Sequence, residues 1–342
     1  MRPARGGRRA FTSADGGTFV KLVRAVIWGA SALALCVSPS SIAAEKASLR
    51  LNWYLGGLHV PFYYGKEKGF YAAEGIDLTI NEGRGSANTV QVVAAGSDTF
   101  GLADSSSVIL TASKGADVKS VMSLLNTTGY SVVSLAEANI KTPKDLEGRK
   151  VAVTAGDPLG QLLQAICKAN NVDCNKIGMI QVDPAAKVVT VLEKKADALL
   201  GGVDDQYFLI KYKGAVPAAM RYADFGGNIV GMTIMTSGET LKNNPDLVRR
   251  FVRATVKSWE ETKKNPGAAV DAALKAKPDL NRQSTLDQLM VDIDLLDSKN
   301  SKGRIGWGAQ ADWDQTLAIL KNYRDLQTDK DWTAFHTNGF LP

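Results

Sequence analysis

The sequence has few of the residues on which common metal and nucleophilic chemistry depends. Its 342 residues include two histidines, His59 and His336, and three cysteines. Metal centres built from nitrogen and sulfur need several such side chains at defined spacings, and these residues show no such spacing. Phosphate-binding glycine loops and the Gly-x-Ser-x-Gly turn of hydrolases are also absent. We therefore expect no catalytic residue, metal or cofactor, although carboxylates remain available for acid–base chemistry.

Long apolar runs are lacking as well, apart from one near the N-terminus. The residues from Ala25 to Val37 form an apolar run of 13, preceded by six Lys and Arg and followed by Ile42-Ala43-Ala44. This order is typical of a secretory signal peptide, and the run is shorter than the roughly 18 residues of a membrane helix. We predict a signal peptide over 1–44 and a periplasmic protein. Cys36 follows the large residue Leu35, which makes it a poor lipidation site.

A strong charge of one sign is missing once this leader is set aside. The leader holds six of the 41 bases and one of the 35 acids, so the remaining chain has a net charge of +1 rather than +6. A nucleic-acid-binding protein needs a basic patch, whereas the remaining lysines are dispersed among acids. We therefore expect no nucleic-acid partner.

The two cysteines outside the leader are Cys167 and Cys174, at a predicted helix end and in the loop after it. In an oxidising compartment we favour a disulfide, which by loop-closure arithmetic stabilises the fold by about 2.5 kcal/mol. The alternative interpretation is a pair of buried thiols.

Helical and extended patterns alternate through the first two thirds of the chain and restart near Tyr130. Strands separated by helices of this length predict parallel sheets. We expect two α/β lobes, with the first lobe formed by 45–128 and 228–342 and the second by 129–227. Two crossings between the lobes then enclose a central cleft, and open α/β sheets bind ligands at the carboxyl ends of their strands.

The last part of the chain, from Asp246 onward, is predicted to be almost wholly helical and to return to the first lobe. Within it, Asp292, Asp294 and Asp297 indicate a charged, solvated helix face. They lack the glycine and glutamate of a calcium-binding loop, so we expect no metal there.

Many short motifs in a fixed order carry a resemblance to a known family. They are Asn52-Trp53-Tyr54 followed by His59, GKEKGFY (65–71), EGIDL (74–78), VAAG (93–96), FGLAD (100–104), TPKDLEG (142–148) and NPDLV (244–248). These motifs resemble the solute-binding proteins of ABC importers for thiamine-pyrimidine precursors, sulfonates, taurine or nitrate. The resemblance covers nearly all of the chain after the leader. It implies a type II periplasmic binding fold, with two α/β lobes joined by two crossing hinge segments, that closes on a small-molecule ligand. It also implies delivery to an ABC permease in the inner membrane, and we expect a monomer.

The loop from Trp53 to His59 is similar to the pyrimidine-precursor branch more than to the sulfonate or nitrate branches. The segment 53–71 contains seven Phe, Trp or Tyr among 19 residues, whereas these residues make up 7% of the whole chain. Flat heteroaromatic ligands are held by stacking and by a few directed hydrogen bonds rather than by an arginine clamp. Trp53 and Tyr54 belong either to the cleft or to the packing around it.

In the first lobe, the candidate ligand contacts follow predicted strands. They are Asn52, Trp53, Tyr54, His59, Arg84, Ser86, Asp104 and Ser105. His59 either donates a hydrogen bond to the ligand or is a structural histidine. Arg84 supplies positive charge if the ligand is an acid. Ser86 and Ser105 either lie at the ligand or cap their helices.

The candidates in the second lobe also follow strands. They are Thr154, Asp157, Asp183 and Asp204, with Asp205 beside the last of them. Carboxylates there suit the exocyclic amino groups of a pyrimidine. Solvated loop acids and helix caps are the alternative interpretation.

These patterns favour a binding protein that captures a thiamine pyrimidine precursor. One alternative is a binding protein for a small organic anion such as a sulfonate, taurine, nitrate or an aromatic carboxylate. A different class is a secreted pyrimidine-processing enzyme or a ligand sensor on the same fold. The fungal relatives that make the pyrimidine carry a dense cysteine motif, and this sequence does not contain one.

Overall fold

The computed structural model describes residues 44–155 and 157–342, and two five-stranded sheets organise them. The strands are β1 (Glu45–Arg50), β2 (Ile76–Asn81), β3 (Phe100–Asp104), β4 (Val118–Ser123), β5 (Tyr130–Leu135), β6 (Lys150–Val153), β7 (Gly178–Gln181), β8 (Ala198–Gly202), β9 (Pro217–Arg221) and β10 (Met232–Ser237). The first sheet has the order β2-β1-β3-β10-β4, and the second has the order β7-β6-β8-β5-β9. The predicted signal peptide and Cys36 lie outside the described residues, apart from Ala44.

Helices follow most of the strands and cluster toward the C-terminus. They are α1 (Val60–Glu67), α2 (Phe70–Ala73), α3 (Ser86–Ala94), α4 (Ser105–Ser113), α5 (Pro158–Ala169), α6 (Lys187–Leu192), α7 (Gln206–Lys211), α8 (Gly238–Asn243), α9 (Pro245–Lys264), α10 (Pro266–Ala276), α11 (Arg282–Leu295) and α12 (Gln310–Tyr323). Among these described helices, none combines the length and the apolar character that crossing a bilayer requires.

The chain passes from the first sheet to the second between β4 and β5 and returns between β9 and β10. Both sheets share one pattern, in which the first strand after a crossing lies second from one edge: β10 lies between β3 and β4, and β5 lies between β8 and β9. The predicted α/β fold of two lobes joined by two crossing segments is confirmed. The lobe boundaries after residues 128 and 227 stay predictions.

The prediction of wholly parallel sheets is wrong for two strands. β10 runs antiparallel to β3 and β4, and β5 runs antiparallel to β8 and β9. Each is the first strand after a crossing, and its first residues, Tyr130 and Met232, lie at the same cavity as the segments that follow β1 and β8. The chain therefore enters each sheet at the carboxyl ends of the parallel strands and has to run in the opposite direction.

Helix α9 shows how the C-terminal part completes the first lobe. Asn244 caps it by accepting a hydrogen bond from the backbone N–H of Leu247 at 3.3 Å, and a proline occupies its first position. Its apolar face includes the buried Phe251, whose ring stacks on Phe100 of β3 with centroids 3.9 Å apart. The predicted helical return is thus anchored on the central strands of the first sheet.

The cysteines of α5 and the following turn are joined in the structure. The Sγ atoms of Cys167 and Cys174 form a disulfide between Cα atoms 5.7 Å apart. The bond ties the C-terminal end of α5 to the turn that leads into β7 of the second sheet.

Candidate ligand-binding site

A cavity of about 340 Å³ is lined by segments from both sheets. The first sheet contributes the segment after β1 (52–59) and the start of α3 (85–86). The second contributes the start of α5 (157–159) and the residues around the end of β8 (201–206). Helix α11 adds Ser284, Thr285 and Gln288. The volume lies at the lower end of the range for small-molecule pockets, and the cavity follows strand ends, as is usual for open α/β sheets.

Seven of the twelve candidate residues line this cavity. They are Asn52, Trp53, Tyr54, His59, Ser86, Asp157 and Asp204, and Asp205 lies beside them. Arg84, Asp104, Ser105, Thr154 and Asp183 do not line it. The structure therefore brings together the segment after β1 and the acids of the second lobe.

The five other candidates are placed elsewhere for identifiable reasons. Arg84 and Asp183 are exposed to solvent outside the cavity. The Thr154 hydroxyl donates to the carbonyl oxygen of Val182 at 3.1 Å, and the Ser105 hydroxyl donates to a backbone carbonyl in the crossing before β10. Two of these side chains are hydrogen-bonded to backbone carbonyls, and the other two face solvent. We therefore do not retain these four residues as ligand contacts.

Asp104 is fully buried and supports the cavity wall from behind. Its carboxylate caps α4 by accepting from the backbone N–H of Ser107 at 3.2 Å, and it accepts from the Tyr130 hydroxyl at 2.9 Å. Tyr130 starts β5 and lines the cavity, so this bond links the first sheet to the second. Burial raises the pKa of Asp104 to about 6, and hydrogen bonds from its neighbours oppose that rise.

His59 is held within the segment after β1. Its Nδ1 atom accepts from the backbone N–H of Gly56 at 3.0 Å, and its Nε2 atom lies 2.9 Å from Oδ1 of Asn52. The ring is 4% exposed, and burial lowers its pKa to about 4. Both ring nitrogens are therefore occupied by the protein, which agrees with the structural interpretation of this residue rather than with direct donation to a ligand.

Lys187 is a cavity residue that the sequence analysis missed. Its Nζ atom lies 2.7 Å from Oδ2 of Asp157, and both side chains are buried. The same Nζ atom lies 5.5 Å from the centroid of the Trp53 indole, a cation–π distance across the two sheets. The available signal was a lysine at the start of the apolar run KVVTVL, a position where a solvated lysine is otherwise expected.

A cluster of aspartates lies where α11 meets the segment after β8. Asp292 is fully buried beside the carboxyl group of Asp204, and neither of its carboxyl oxygens has a hydrogen-bond partner among the described residues. The predicted solvated face is therefore wrong for Asp292, although Asp294 is exposed. An ionised carboxyl group that is buried without a hydrogen-bond donor and lies beside a second carboxyl group is costly, so we assign a proton to Asp292.

Burial sets the titration of this cluster. It raises the pKa of Asp292 well above its usual range, and the neighbouring charge of Asp204 adds to the rise. Burial also raises the pKa of Asp204, and it raises that of Asp205 to about 7 with help from Asp204. Within the described residues, no group of three His, Cys, Asp or Glu side chains is arranged to hold a metal ion.

Acidic side chains outnumber basic ones at the cavity by one. Three carboxyl groups, those of Asp157, Asp204 and Asp205, face two lysines, of which Lys187 is paired with Asp157. No arginine is among the described lining residues. Aromatic side chains from the segment after β1 cover the apolar part of the wall. The site is therefore suited to a neutral or weakly basic ring with hydrogen-bonding groups.

The two sheets and the cavity at their strand ends define the fold of periplasmic binding proteins. The alkanesulfonate-binding protein SsuA from Xanthomonas axonopodis pv. citri, solved with bound MOPS, superposes with a TM-score of 0.64 and 14% identity. The match covers 86% of this chain and 100% of that one. This likeness confirms the predicted fold.

The chain belongs to the NMT1/THI5-like family, whose model matches residues 57–269. It is 25% identical over 308 residues to a formylaminopyrimidine-binding protein from Halalkalibacterium halodurans, covering 88% of this chain and 92% of that protein. It is 24% identical to a 4-amino-5-hydroxymethyl-2-methylpyrimidine phosphate synthase from Legionella pneumophila, covering 87% and 93%. The predicted family is confirmed, and the relatives of this chain include proteins named as binding proteins and proteins named as synthases.

Proposed function

We propose that this protein is the periplasmic solute-binding subunit of an ABC importer and that it captures a small heteroaromatic ligand such as a thiamine pyrimidine precursor. The observation that carries the proposal is the cavity, which combines aromatic side chains of one lobe with carboxyl groups of the other. Stacking holds a flat ring, and the carboxyl groups accept hydrogen bonds from its amino group. The bound protein then docks on a permease in the inner membrane and releases the ligand.

The charge of the site supports this ligand over an organic anion. Of the two lysines at the cavity, Lys187 is held 2.7 Å from Asp157 and Lys213 is exposed to solvent, so neither offers an anion a buried, unpaired charge, and Arg84 lies outside. Asp204 and Asp205 add acidic groups to the same wall. Bringing a sulfonate or nitrate beside these groups is opposed by like charge whenever they are ionised.

The state of His59 argues against this residue as a general acid or base, whereas Asp205, with its pKa raised to about 7, lines the cavity and remains available for such a role. A general acid or base must reach the ligand and titrate near the working pH. The pKa of His59 is lowered to about 4 by burial, and its two nitrogens are engaged with Gly56 and Asn52. The same similarity that suggests a binding protein also extends to a named synthase, so the experiment has to include a test for turnover.

A thermal-shift screen of the protein purified from the periplasm tests the proposal. The ligands are aminopyrimidines, riboflavin, alkanesulfonates, taurine, nitrate and aromatic carboxylates. A ligand at a hundred times its dissociation constant adds about 2.7 kcal/mol, which raises the melting midpoint by several degrees. We expect aminopyrimidines to raise the melting midpoint and to be recovered chemically unchanged after incubation with the protein. A shift with anions alone, or conversion of the pyrimidine, would overturn the proposal.

A further inference from the structure

Two carboxamide side chains in the cavity have their orientation fixed by the protein. For Asn52, the constraint comes through His59. The Gly56 backbone N–H can only donate, so Nδ1 of His59 is an acceptor, and the proton of the neutral ring is on Nε2. This N–H needs an acceptor, and it lies 2.9 Å from the Asn52 amide. The oxygen of Asn52 must therefore face His59, and the NH₂ group faces away from it.

Gln288 of α11 is fixed in the same way. Its Oε1 atom accepts from the backbone N–H of Gly57 at 2.8 Å, which leaves the NH₂ group on the other side. The approach is close, since a Cβ atom at Gly57 would lie 2.4 Å from Cβ of Gln288. A glycine at position 57 is therefore what lets α11 reach the segment after β1.

The two NH₂ groups are directed to the cavity rather than to the protein. Asn52 and Gln288 both line the cavity, and neither nitrogen donates to another side chain or carbonyl among the described residues. Neither nitrogen belongs to the fully sealed polar atoms of the structure. A ligand that fills the cavity removes these nitrogens from water, and a buried donor without a partner is costly, so each NH₂ group then needs an acceptor on the ligand.

We propose that Asn52 and Gln288 form a donor pair that selects ligands by hydrogen-bond acceptors on one ring edge, such as ring nitrogens or a formyl oxygen. The carboxyl groups of Asp204 and Asp205 accept from an amino group on the opposite edge. This inference rests on the proposed function. It adds that the ligand must carry hydrogen-bond acceptors on one ring edge and a donor on the opposite edge. His59 is then a positioning residue, because it acts only through Asn52.

Isosteric substitutions test the donor pair. Asn52→Asp and Gln288→Glu each keep the oxygen that accepts from the protein and replace NH₂ by a second oxygen. The ligands are 4-amino-2-methylpyrimidine and the matched aminopyridine in which C–H replaces one ring nitrogen, with dissociation constants measured by calorimetry at a pH at which both rings are neutral. We expect the wild type to prefer the pyrimidine by tenfold or more, since a lost acceptor leaves a buried donor unpaired.

In at least one of the two variants, the affinity for the pyrimidine should fall tenfold or more, while the affinity for the pyridine changes little. That variant then no longer prefers the pyrimidine over the pyridine. Asn88→Asp, on the exposed side of α3, introduces the same charge outside the cavity and is expected to leave both constants unchanged. The two variants lie on different elements, so either one alone tests the pair if the other does not fold.

The outcomes separate this inference from the proposed function. If the wild type binds both rings without preference, or if the variants lose both ligands equally, the donor pair is wrong while ligand capture stands. If the wild type binds neither ring, the proposed function is wrong, and so is the donor pair that rests on it.

Discussion

Replacing Asp292 by asparagine is expected to stabilise the protein, and by a larger amount at higher pH. Asp292 is fully buried on α11 beside the carboxyl group of Asp204, and its pKa is raised well above its usual range by burial. In the unfolded chain the same carboxyl group ionises near pH 4. The contribution of protonated Asp292 to the free energy of unfolding is thus complete below that pH. It is lost as the pH rises through the pKa that Asp292 has in the folded protein.

The size of the effect follows from proton binding. While the folded carboxyl group stays protonated and the unfolded one is ionised, the free energy of unfolding falls by about 1.4 kcal/mol per pH unit. Asparagine does not titrate and keeps a donor beside Asp204. The difference between Asp292→Asn and the wild type should therefore grow from pH 5 to pH 7, by up to about 1.4 kcal/mol per pH unit. For a chain of this size, each kcal/mol corresponds to a shift of roughly 2 °C in the melting midpoint.

Urea unfolding followed by circular dichroism at pH 5, 6 and 7 measures this difference. Asp294→Asn is the matched control, because Asp294 lies on the same helix and is exposed. Its difference from the wild type should stay small at every pH. A difference for Asp292→Asn that does not change with pH, or a variant less stable than the wild type at pH 7, would refute the assignment of the proton to Asp292.

Three further substitutions test the site. Trp53→Ala should weaken ligand binding by more than tenfold because the indole supplies the stacking surface, and unchanged affinity in a folded variant would rule out that role. Lys187→Met should lower the free energy of unfolding by about 3 kcal/mol, because it leaves Asp157 buried without its partner. Lys114→Met, at an exposed lysine, should have little effect, and equal losses in the two variants would contradict the argument. Arg84→Ala should leave the affinity within twofold of wild type, and a tenfold loss would restore the organic-anion interpretation.

The sequence predicted the architecture because its signals are local. Alternating strands and helices, the glycine and proline boundaries and the aromatic segment after β1 depend on neighbours along the chain. Trp53 and Asn52 follow a strand, and strand ends meet at one edge of a sheet, so their place at the cavity was predictable. The acids that follow β8 were predictable by the same rule.

The features that the sequence did not reveal depend on contacts between distant segments. The direction of β5 and β10 is set by the two crossings, which leave no local pattern. Asp292 has the sequence environment of a solvated helix face, and it is buried because α11 packs against distant parts of the chain, with Asp204 beside it. Lys187 is buried only because Asp157 and Trp53 meet it from two other segments.

Titration calorimetry with the wild-type protein at pH 7 tests the central claim most directly. The ligand is 4-amino-5-hydroxymethyl-2-methylpyrimidine, with an alkanesulfonate of similar size as the comparison. The cavity of aromatic side chains, carboxyl groups and amide donors predicts saturable binding of one pyrimidine per chain and no measurable heat from the sulfonate. Binding of the sulfonate without binding of the pyrimidine would contradict the account.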